Sequence, residues 1–195
     1  MRRRPAARLT AARLTTARLR SLLPLAVPFD EICFRSVRPK YANEHGVLSP
    51  AGSLMGGGRY NRVDTFGALY LSCDPHTCLE ECIRTMENTS YQIADLLPRT
   101  TVGIAVRLDR VLNLTDDGIL NRLNITQADL LRPGWRAVQR SGREAFTQRL
   151  GRLAREAGFQ ALLVPSAAQR GGKNLIVFTD NVPDGALRPI NLPLK

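Results

Sequence analysis

The pattern of apolar and polar positions predicts a strand followed directly by a helix near the middle of the chain. Residues Ala68–Cys73 form an apolar run, ALYLSC, bounded by Gly67 and by Asp74-Pro75, which is typical of a short buried strand. Asp74 and Pro75 suit the N-cap and the first position of a helix. Apolar residues then recur at helical spacing, which predicts a helix to about residue 88, at Leu79, Cys82, Ile83 and Met86.

The rest of the chain predicts strands and helices that do not alternate regularly. Strands are predicted at Glu31–Val37, Thr101–Leu108, Val111–Leu114, Gln160–Pro165 and Asn174–Thr179. Two short helices are predicted between residues 116 and 134, and the Ser141-x-x-Glu144 pattern predicts the start of a longer helix that ends before Gly158. Because no Gly-x-Gly-x-x-Gly follows a strand either, we predict an α+β fold rather than a doubly wound parallel sheet.

The basic charge is concentrated at the N-terminus. The 195 residues, 44% of them hydrophobic, suit one domain with a proper core, and the formal net charge is +11. Seven arginines and no acidic residue lie in the first twenty positions, so the remainder holds 28 − 7 = 21 basic against 17 acidic residues, a net charge of +4. We therefore expect no direct nucleic-acid binding by the folded body.

The arginines belong to a short repeat, ARLTA, ARLTT and ARLRS, that starts at Ala7, Ala12 and Ala17. Its five-residue period matches neither a helix nor a strand, so we predict a flexible extension over residues 1–24 and a folded domain over residues 25–195. A transit peptide, a nucleic-acid arm and a membrane-surface helix are the alternatives. No apolar stretch is long enough for a secretory signal or a membrane span.

The four cysteines, at positions 33, 73, 78 and 82, predict neither a disulfide framework nor a metal site. Cys73, His76, Cys78 and Cys82 lie close together in the sequence, but their spacing is not that of paired Cys-x-x-Cys zinc ligands. We expect buried, reduced cysteines, no bound metal, and a cytoplasmic location.

Three consecutive glycines, Gly56 to Gly58, are followed directly by Arg59 and precede the predicted central strand. Glycine lets a ligand approach the main chain closely, and the guanidinium group offers paired donors to an anion. Each of these features is common by itself, so none assigns a function alone.

Together, these segments resemble the RES domain family, named for its arginine, glutamate and serine. The resemblance covers roughly residues 30 to 180. It consists of Phe34-Arg35, GGGRYN at Gly56–Asn61, LYLS at Leu69–Ser72, a glutamate eleven residues after Tyr70, VPSA at Val164–Ala167, and Asn174.

The resemblance implies an ADP-ribosyltransferase-like fold, with a split, mainly antiparallel sheet and NAD⁺ as the substrate in its cleft. Cleaving the bond between ribose and nicotinamide expels a neutral leaving group and develops positive charge on the sugar. Glu81 could stabilise that charge, Arg35 and Arg59 could bind the two phosphates, Tyr70 could pack on nicotinamide, and Ser166 could hydrogen-bond near the ribose. The expected NAD⁺-binding residues are Gly58, Arg59, Tyr60, Asn61 and Asn174, the last three of which would mainly shape the cleft.

The family further implies the toxin of a bacterial toxin–antitoxin pair, inhibited by an Xre-type helix-turn-helix antitoxin that blocks the cleft. The acceptor of ADP-ribose could be water, phosphate or, alternatively, a protein side chain. Leu79 lies two positions before Glu81, where arginine-specific transferases usually carry an acidic residue, which disfavours arginine as the acceptor. A non-catalytic nucleic-acid-binding module is a further alternative, and it predicts salt-dependent binding that is lost with the first twenty residues.

Overall fold

The computed structural model describes residues 14–87 and 97–192. Its strands are β1 Val27–Val37, β2 Ala68–Ser72, β3 Thr100–Asn113, β4 Ala161–Pro165, β5 Lys173–Phe178 and β6 Leu187–Ile190. Its α-helices are α1 Thr16–Arg20, α2 Glu44–Leu48, α3 Ala51–Gly56, α4 Pro75–Glu87, α5 Asp117–Leu123, α6 Gln127–Leu131, α7 Trp135–Arg140 and α8 Phe146–Ala157. Short 3-10 helices lie at Leu23–Leu25 and Pro39–Tyr41. None of the described helices is long and apolar enough to cross a bilayer.

The six described strands form one sheet in the order β1-β2-β5-β4-β3-β6, and β1 also pairs with β3. Among the described strands, the β3–β4 pair is parallel and the others are antiparallel. β1 and β3 pair over a long register, from Val37↔Thr100 to Val27↔Val111, whereas β1 and β2 are paired at Phe34↔Ser72. The expected α+β fold with a mainly antiparallel sheet and flanking helices is therefore confirmed.

Side chains of the central strands alternate between two cores on opposite faces of the sheet. On β2, Ala68 and Tyr70 pack with the core that contains leucines of α1, α5 and α8. Leu69 and Leu71 pack with a second core made largely by β1 and β3. Strand β2 is therefore covered on both faces, which explains its nearly continuous apolar sequence.

Several predicted boundaries differ from the structure. Residues Thr101–Leu108 and Val111–Leu114 were expected to be separate strands, but they belong to one strand, β3. Helix α8 begins at Phe146, and the Ser141-x-x-Glu144 pattern does not cap it. Glu144 instead forms an ion pair with Arg152, at 2.8 Å between Oε1 and Nε, and the side chain of Gln148 accepts a hydrogen bond from the Ala145 N–H.

The sequence predicts a flexible extension over residues 1–24. This prediction is wrong for residues 14–24, which pack on the folded domain. Leu14, Leu19 and Leu22 are buried in the core that contains α8. Thr16 Oγ1 donates a hydrogen bond of 2.7 Å to Glu156 of α8. Leu14 precedes the helix, so the five-residue spacing of the leucines does not have to match a helical period. The first 13 residues of the expected extension lie outside the described residues.

We predict that Leu19→Ala lowers the free energy of unfolding by about 2–5 kcal/mol, because the leucine is fully buried and the truncation leaves a cavity. Leu25→Ala is the matched control, since Leu25 is 39% exposed, and it should cost less than about 1 kcal/mol. Chemical denaturation of both variants measures the difference. Equal losses would show that residues 14–22 contribute little to the core.

Candidate active site

A cleft of about 730 Å³ opens beside the point where β1 and β2 meet. Its walls come from β1, α3, β2, α4, α7, β4, β5 and the segment of residues 56–61, which we call the glycine loop. Among the described lining residues, Glu81 is the acidic one, and it shares the cleft with six arginines: Arg35, Arg59, Arg84, Arg99, Arg136 and Arg140. The described lining of the cleft therefore combines several positive charges with one negative charge.

Glu81 of α4 is held by two hydrogen bonds to the same carboxylate oxygen. Ser166 Oγ donates to Oε1 at 2.7 Å, and Asn174 Nδ2 donates to Oε1 at 2.6 Å. Ser72 Oγ in turn donates to Asn174 Oδ1 at 2.9 Å, because β2 and β5 pair at Ser72↔Asn174. The structure therefore brings together Glu81, Ser166 and Asn174, which are far apart in the sequence.

The geometry of Ser166 determines the direction of its hydroxyl proton. Its Oγ accepts hydrogen bonds from the backbone N–H groups of Ala168, at 3.1 Å, and Gln169, at 3.0 Å. These two donors occupy the oxygen lone pairs, so the hydroxyl proton is directed to Glu81. Ser166 is 6% exposed, and it positions the carboxylate from behind the cleft wall.

The glycine loop is held by the hydroxyl of Tyr70, a residue that lines the cleft. Tyr70 donates to Asn61 Oδ1 at 2.8 Å and accepts from the Tyr60 N–H at 2.9 Å. Burial raises the pKa of the Tyr70 hydroxyl above its ordinary value. A Cβ on Gly58 would lie 2.1 Å from this hydroxyl, so the position requires glycine.

Asn61 and Tyr60 support the loop from inside the protein. Asn61 is fully buried, and its Nδ2 donates to the carbonyls of Ser53 and Phe66. Tyr60 is 2% exposed, and its backbone packs so closely on α8 that a Cβ on Gly151 would lie 1.9 Å from the Tyr60 oxygen. Both residues thus hold the glycine loop in place, and their expected contribution to NAD⁺ binding stays a prediction.

Two glutamines that sequence reasoning did not select complete the support of the loop. Gln148, on the buried face of α8, donates to the Gly58 carbonyl at 3.0 Å and to Gln139 Oε1 at 2.7 Å. Gln139 of α7 donates to the Gly56 carbonyl at 3.2 Å. A polar residue on the apolar face of a helix is the sequence signal that could have identified Gln148.

Arg35 and Arg59 both line the cleft, and each is oriented by two backbone carbonyls. Arg35 Nη1 donates to Val47, at 2.6 Å, and to Ser49, at 3.0 Å. Burial, together with the charge of the neighbouring Arg99, lowers the pKa of Arg35 to about 10. Arg99 also lines the cleft, and sequence reasoning did not select it. Arg59 Nη1 likewise donates to the carbonyls of Leu130 and Arg132. Among the described residues, both arginines use Nη1 for their bonds to carbonyls, which leaves other guanidinium nitrogens for a ligand.

The cysteines are reduced and serve the packing of the strands and α4. Cys33 of β1 and Cys73 after β2 are neighbours, and their thiol–thiol hydrogen bond, with burial, raises the pKa of Cys33. Cys82 accepts a hydrogen bond from Ser36 Oγ at 3.7 Å. Within residues 14–87 and 97–192, no group of three or more His, Cys, Asp or Glu side chains could hold a metal ion.

Gly58→Ala should destabilise the protein by about 1–3 kcal/mol, because its Cβ would overlap the Tyr70 hydroxyl and the Asn61 oxygen. Gly56→Ala is the control, since a Cβ there meets nothing within 4 Å. The free energy of unfolding by denaturant measures both effects. An equally stable Gly58→Ala protein would mean that the loop does not need the close contact with Tyr70.

Comparisons with known proteins identify a family and a relative of this chain. The RES domain profile matches residues 32–194. The probable NAD(+) phosphorylase of Mycobacterium tuberculosis is 31% identical over 141 residues, which are 72% of this chain and 62% of that protein. This chain thus spans less than two thirds of that relative.

A solved structure shares the fold. The crystal structure of the Mycobacterium tuberculosis MbcT–MbcA toxin–antitoxin complex contains a chain that superposes with a TM-score of 0.70 at 22% identity. The match covers 89% of this chain and 90% of that one. Because the RES domain profile covers most of the sequence, the chain belongs to the RES domain family.

Proposed function

We propose that this protein is a bacterial toxin that degrades NAD⁺ by cleaving the bond between nicotinamide and ribose. The observation that carries the proposal is Glu81, the one carboxylate among the described lining residues, which Ser166 and Asn174 hold in a cleft lined by arginines. NAD⁺ matches this charge pattern, since its diphosphate is anionic and its nicotinamide ring is cationic. The similarity to a probable NAD(+) phosphorylase supports the same activity.

Glu81 would stabilise the positive charge that develops on the ribose as nicotinamide leaves. The transition state resembles an oxocarbenium ion, and a fixed nearby carboxylate lowers its energy more than that of the ground state. Because Ser166 and Asn174 both bind Oε1, Oε2 remains for the ribose hydroxyls. Preorganisation by the two donors means that Glu81 does not have to reorient during the reaction.

The diphosphate would be bound by guanidinium groups, whose planar forks match phosphate oxygens. Arg35 and Arg59 are both held by backbone carbonyls, so they lose little conformational freedom when a ligand binds. Tyr70 lines the same cleft, where its ring would pack on the nicotinamide riboside portion.

Inorganic phosphate is the acceptor that we propose, with water as the slower substitute. The abundance of arginines around Glu81 favours an anionic acceptor, and the name of the relative points to phosphorolysis. Transfer to a protein side chain is the alternative, and the experiments below distinguish it.

We further propose that an antitoxin of the Xre helix-turn-helix type inhibits the protein by covering this cleft in the bacterial cytoplasm. The likeness to a chain from a toxin–antitoxin complex supports such a partner. A cleft lined by arginines would attract a carboxylate of an inhibitory segment in place of the substrate diphosphate.

Glu81→Gln should reduce nicotinamide release from NAD⁺ by at least about 100-fold, because it removes the charge but keeps the shape of the side chain. Chromatography of nicotinamide and of the ADP-ribosyl product, with and without inorganic phosphate, measures the rate and identifies the acceptor. We expect phosphate to increase the rate and to appear in the product.

Glu80→Gln is the matched control, since Glu80 neighbours Glu81 but does not line the cleft. It should turn over NAD⁺ at the rate of the unmodified protein. Equal activity of the Glu81→Gln and unmodified proteins would exclude Glu81 from the mechanism. Failure of the folded, unmodified protein to release nicotinamide would refute the proposed function.

Expression of the chain in bacteria without an antitoxin should stop growth and deplete cellular NAD⁺, and Glu81→Gln should restore both. Growth curves and enzymatic NAD⁺ assays on the same cultures measure the two effects. Growth arrest at normal NAD⁺ levels, with labelled NAD⁺ marking a protein band, would assign protein ADP-ribosylation instead.

A further inference from the structure

The cleft has two chemically different ends, and strand β2 sets their separation. Ser72 lies at the Glu81 end, because it bonds Asn174, which bonds Glu81. Tyr70 lies two residues earlier on the same face, about 7 Å along the strand. Its hydroxyl is bonded to the glycine loop, which continues into Arg59. The order along the cleft is therefore Glu81, Tyr70 and Arg59.

Arg59 points toward the segment that leads into α7. Its Nη1 donates to the carbonyls of Leu130, at 3.2 Å, and Arg132, at 2.9 Å. Two more arginines, Arg136 and Arg140, lie on α7 and line the cleft. Arg59, Arg136 and Arg140 thus line one cleft, and partial burial together with the charges of Arg59 and Arg140 lowers the pKa of Arg136.

These three arginines have no carboxylate within ion-pair distance among the residues that the structure describes. Like charges that are clustered without a counterion raise the free energy of the unliganded protein, and a bound anion removes that cost. Helix α7 is also held in place for such a role. Gln139 ties it to the Gly56 carbonyl and to Gln148 of α8.

Trp135 adds an aromatic surface to the same end of the cleft. It is partly exposed, lines the cleft, and carries the Arg136 guanidinium 4.5 Å from its ring centroid. Gly134, with φ of +95°, makes the turn that starts α7 at this position. A purine base is a planar group that packs favourably on an indole.

We propose that α7 is the binding site for the adenosine diphosphate portion of the dinucleotide. Arg136 and Arg140, with Arg59, bind the phosphate on the adenosine side, and Trp135 packs on the adenine. Arg35 serves the other phosphate, because it follows Phe34, which pairs with Ser72 at the Glu81 end. The proposal rests on the proposed function for the identity of the dinucleotide, but the adenosine diphosphate site itself does not require turnover.

The test uses ADP binding by calorimetry and the kinetics of NAD⁺ cleavage on the full chain. Arg136→Ala and Arg140→Ala should each weaken ADP binding and raise KM for NAD⁺ by about 10-fold, with little change in kcat, because this contact is equal in ground and transition states. Nicotinamide mononucleotide lacks the adenylate half, so its cleavage should be unchanged. Trp135→Leu should weaken the binding of ADP but not of inorganic diphosphate.

Arg143→Ala is the matched control, since it removes one positive charge from a residue that follows α7 but does not line the cleft. Its ADP affinity should equal that of the unmodified protein. Thermal melting of each variant checks that the fold is retained.

The α7 site would be overturned if the Arg136 and Arg140 variants bound ADP as tightly as Arg143→Ala, or if the unmodified protein did not bind ADP. It would also be overturned if these variants lost as much activity on nicotinamide mononucleotide as on NAD⁺. A protein that binds ADP through Arg136 and Arg140 but does not cleave NAD⁺ would support this site and refute the proposed function. The two proposals can therefore fail separately.

Discussion

The pair of hydrogen bonds that Ser166 and Asn174 donate to Glu81 is the interaction on which the candidate active site depends. The three residues come from three elements: Glu81 from α4, Ser166 from the loop after β4, and Asn174 from β5. They meet because β4 and β5 are paired at Val164↔Asn174, and because α4 begins directly after β2, which also pairs with β5. A carboxylate in a cleft must be hydrogen-bonded to be held in one orientation, and both donors here are themselves oriented by further bonds. The position of the charge is thus a property of the sheet register.

Strand β2 also positions residues at the other end of the cleft. Ser72 and Tyr70 point to one face, where they hold Asn174 and the glycine loop, and Leu69 and Leu71 fill the core on the other face. A slip of one residue would exchange the polar and apolar sets and break both ends of the site together. The five residues of β2 therefore fix the position of the Glu81 carboxylate relative to the loop before Arg59.

The sequence predicted the parts of the site that have local signals. The apolar run of β2, the Asp74-Pro75 start of α4 and the glycine loop are each encoded within a few residues, so they could be read without tertiary information. Gln148 and Arg99 were missed because their roles depend on partners far away in the sequence, namely Gly58 and Ser36. The packing of residues 14–24 was missed for a related reason, since Leu14 and Leu19 are buried by α5 and α8 rather than by a periodic face of their own helix. Long-range contacts of this kind cannot be derived from periodicity.

The positive charges of the cleft lower the stability of the unliganded protein, and this effect indicates which kind of ligand the cleft favours. Six arginines converge on a cleft with one glutamate, and the pKa values of Arg35 and Arg136 are lowered by burial and by neighbouring guanidinium groups. Repulsion between guanidinium groups opposes folding. The two cores and the buried hydrogen bonds of Asn61 and Gln148 stabilise the surrounding structure and offset this repulsion. An anion that spans the cleft removes the repulsion at each end, and one with a cationic group beside Glu81 also satisfies the carboxylate. A dinucleotide with a diphosphate and a cationic ring has both properties, whereas a simple polyanion such as a nucleic-acid strand would place a phosphate against Glu81.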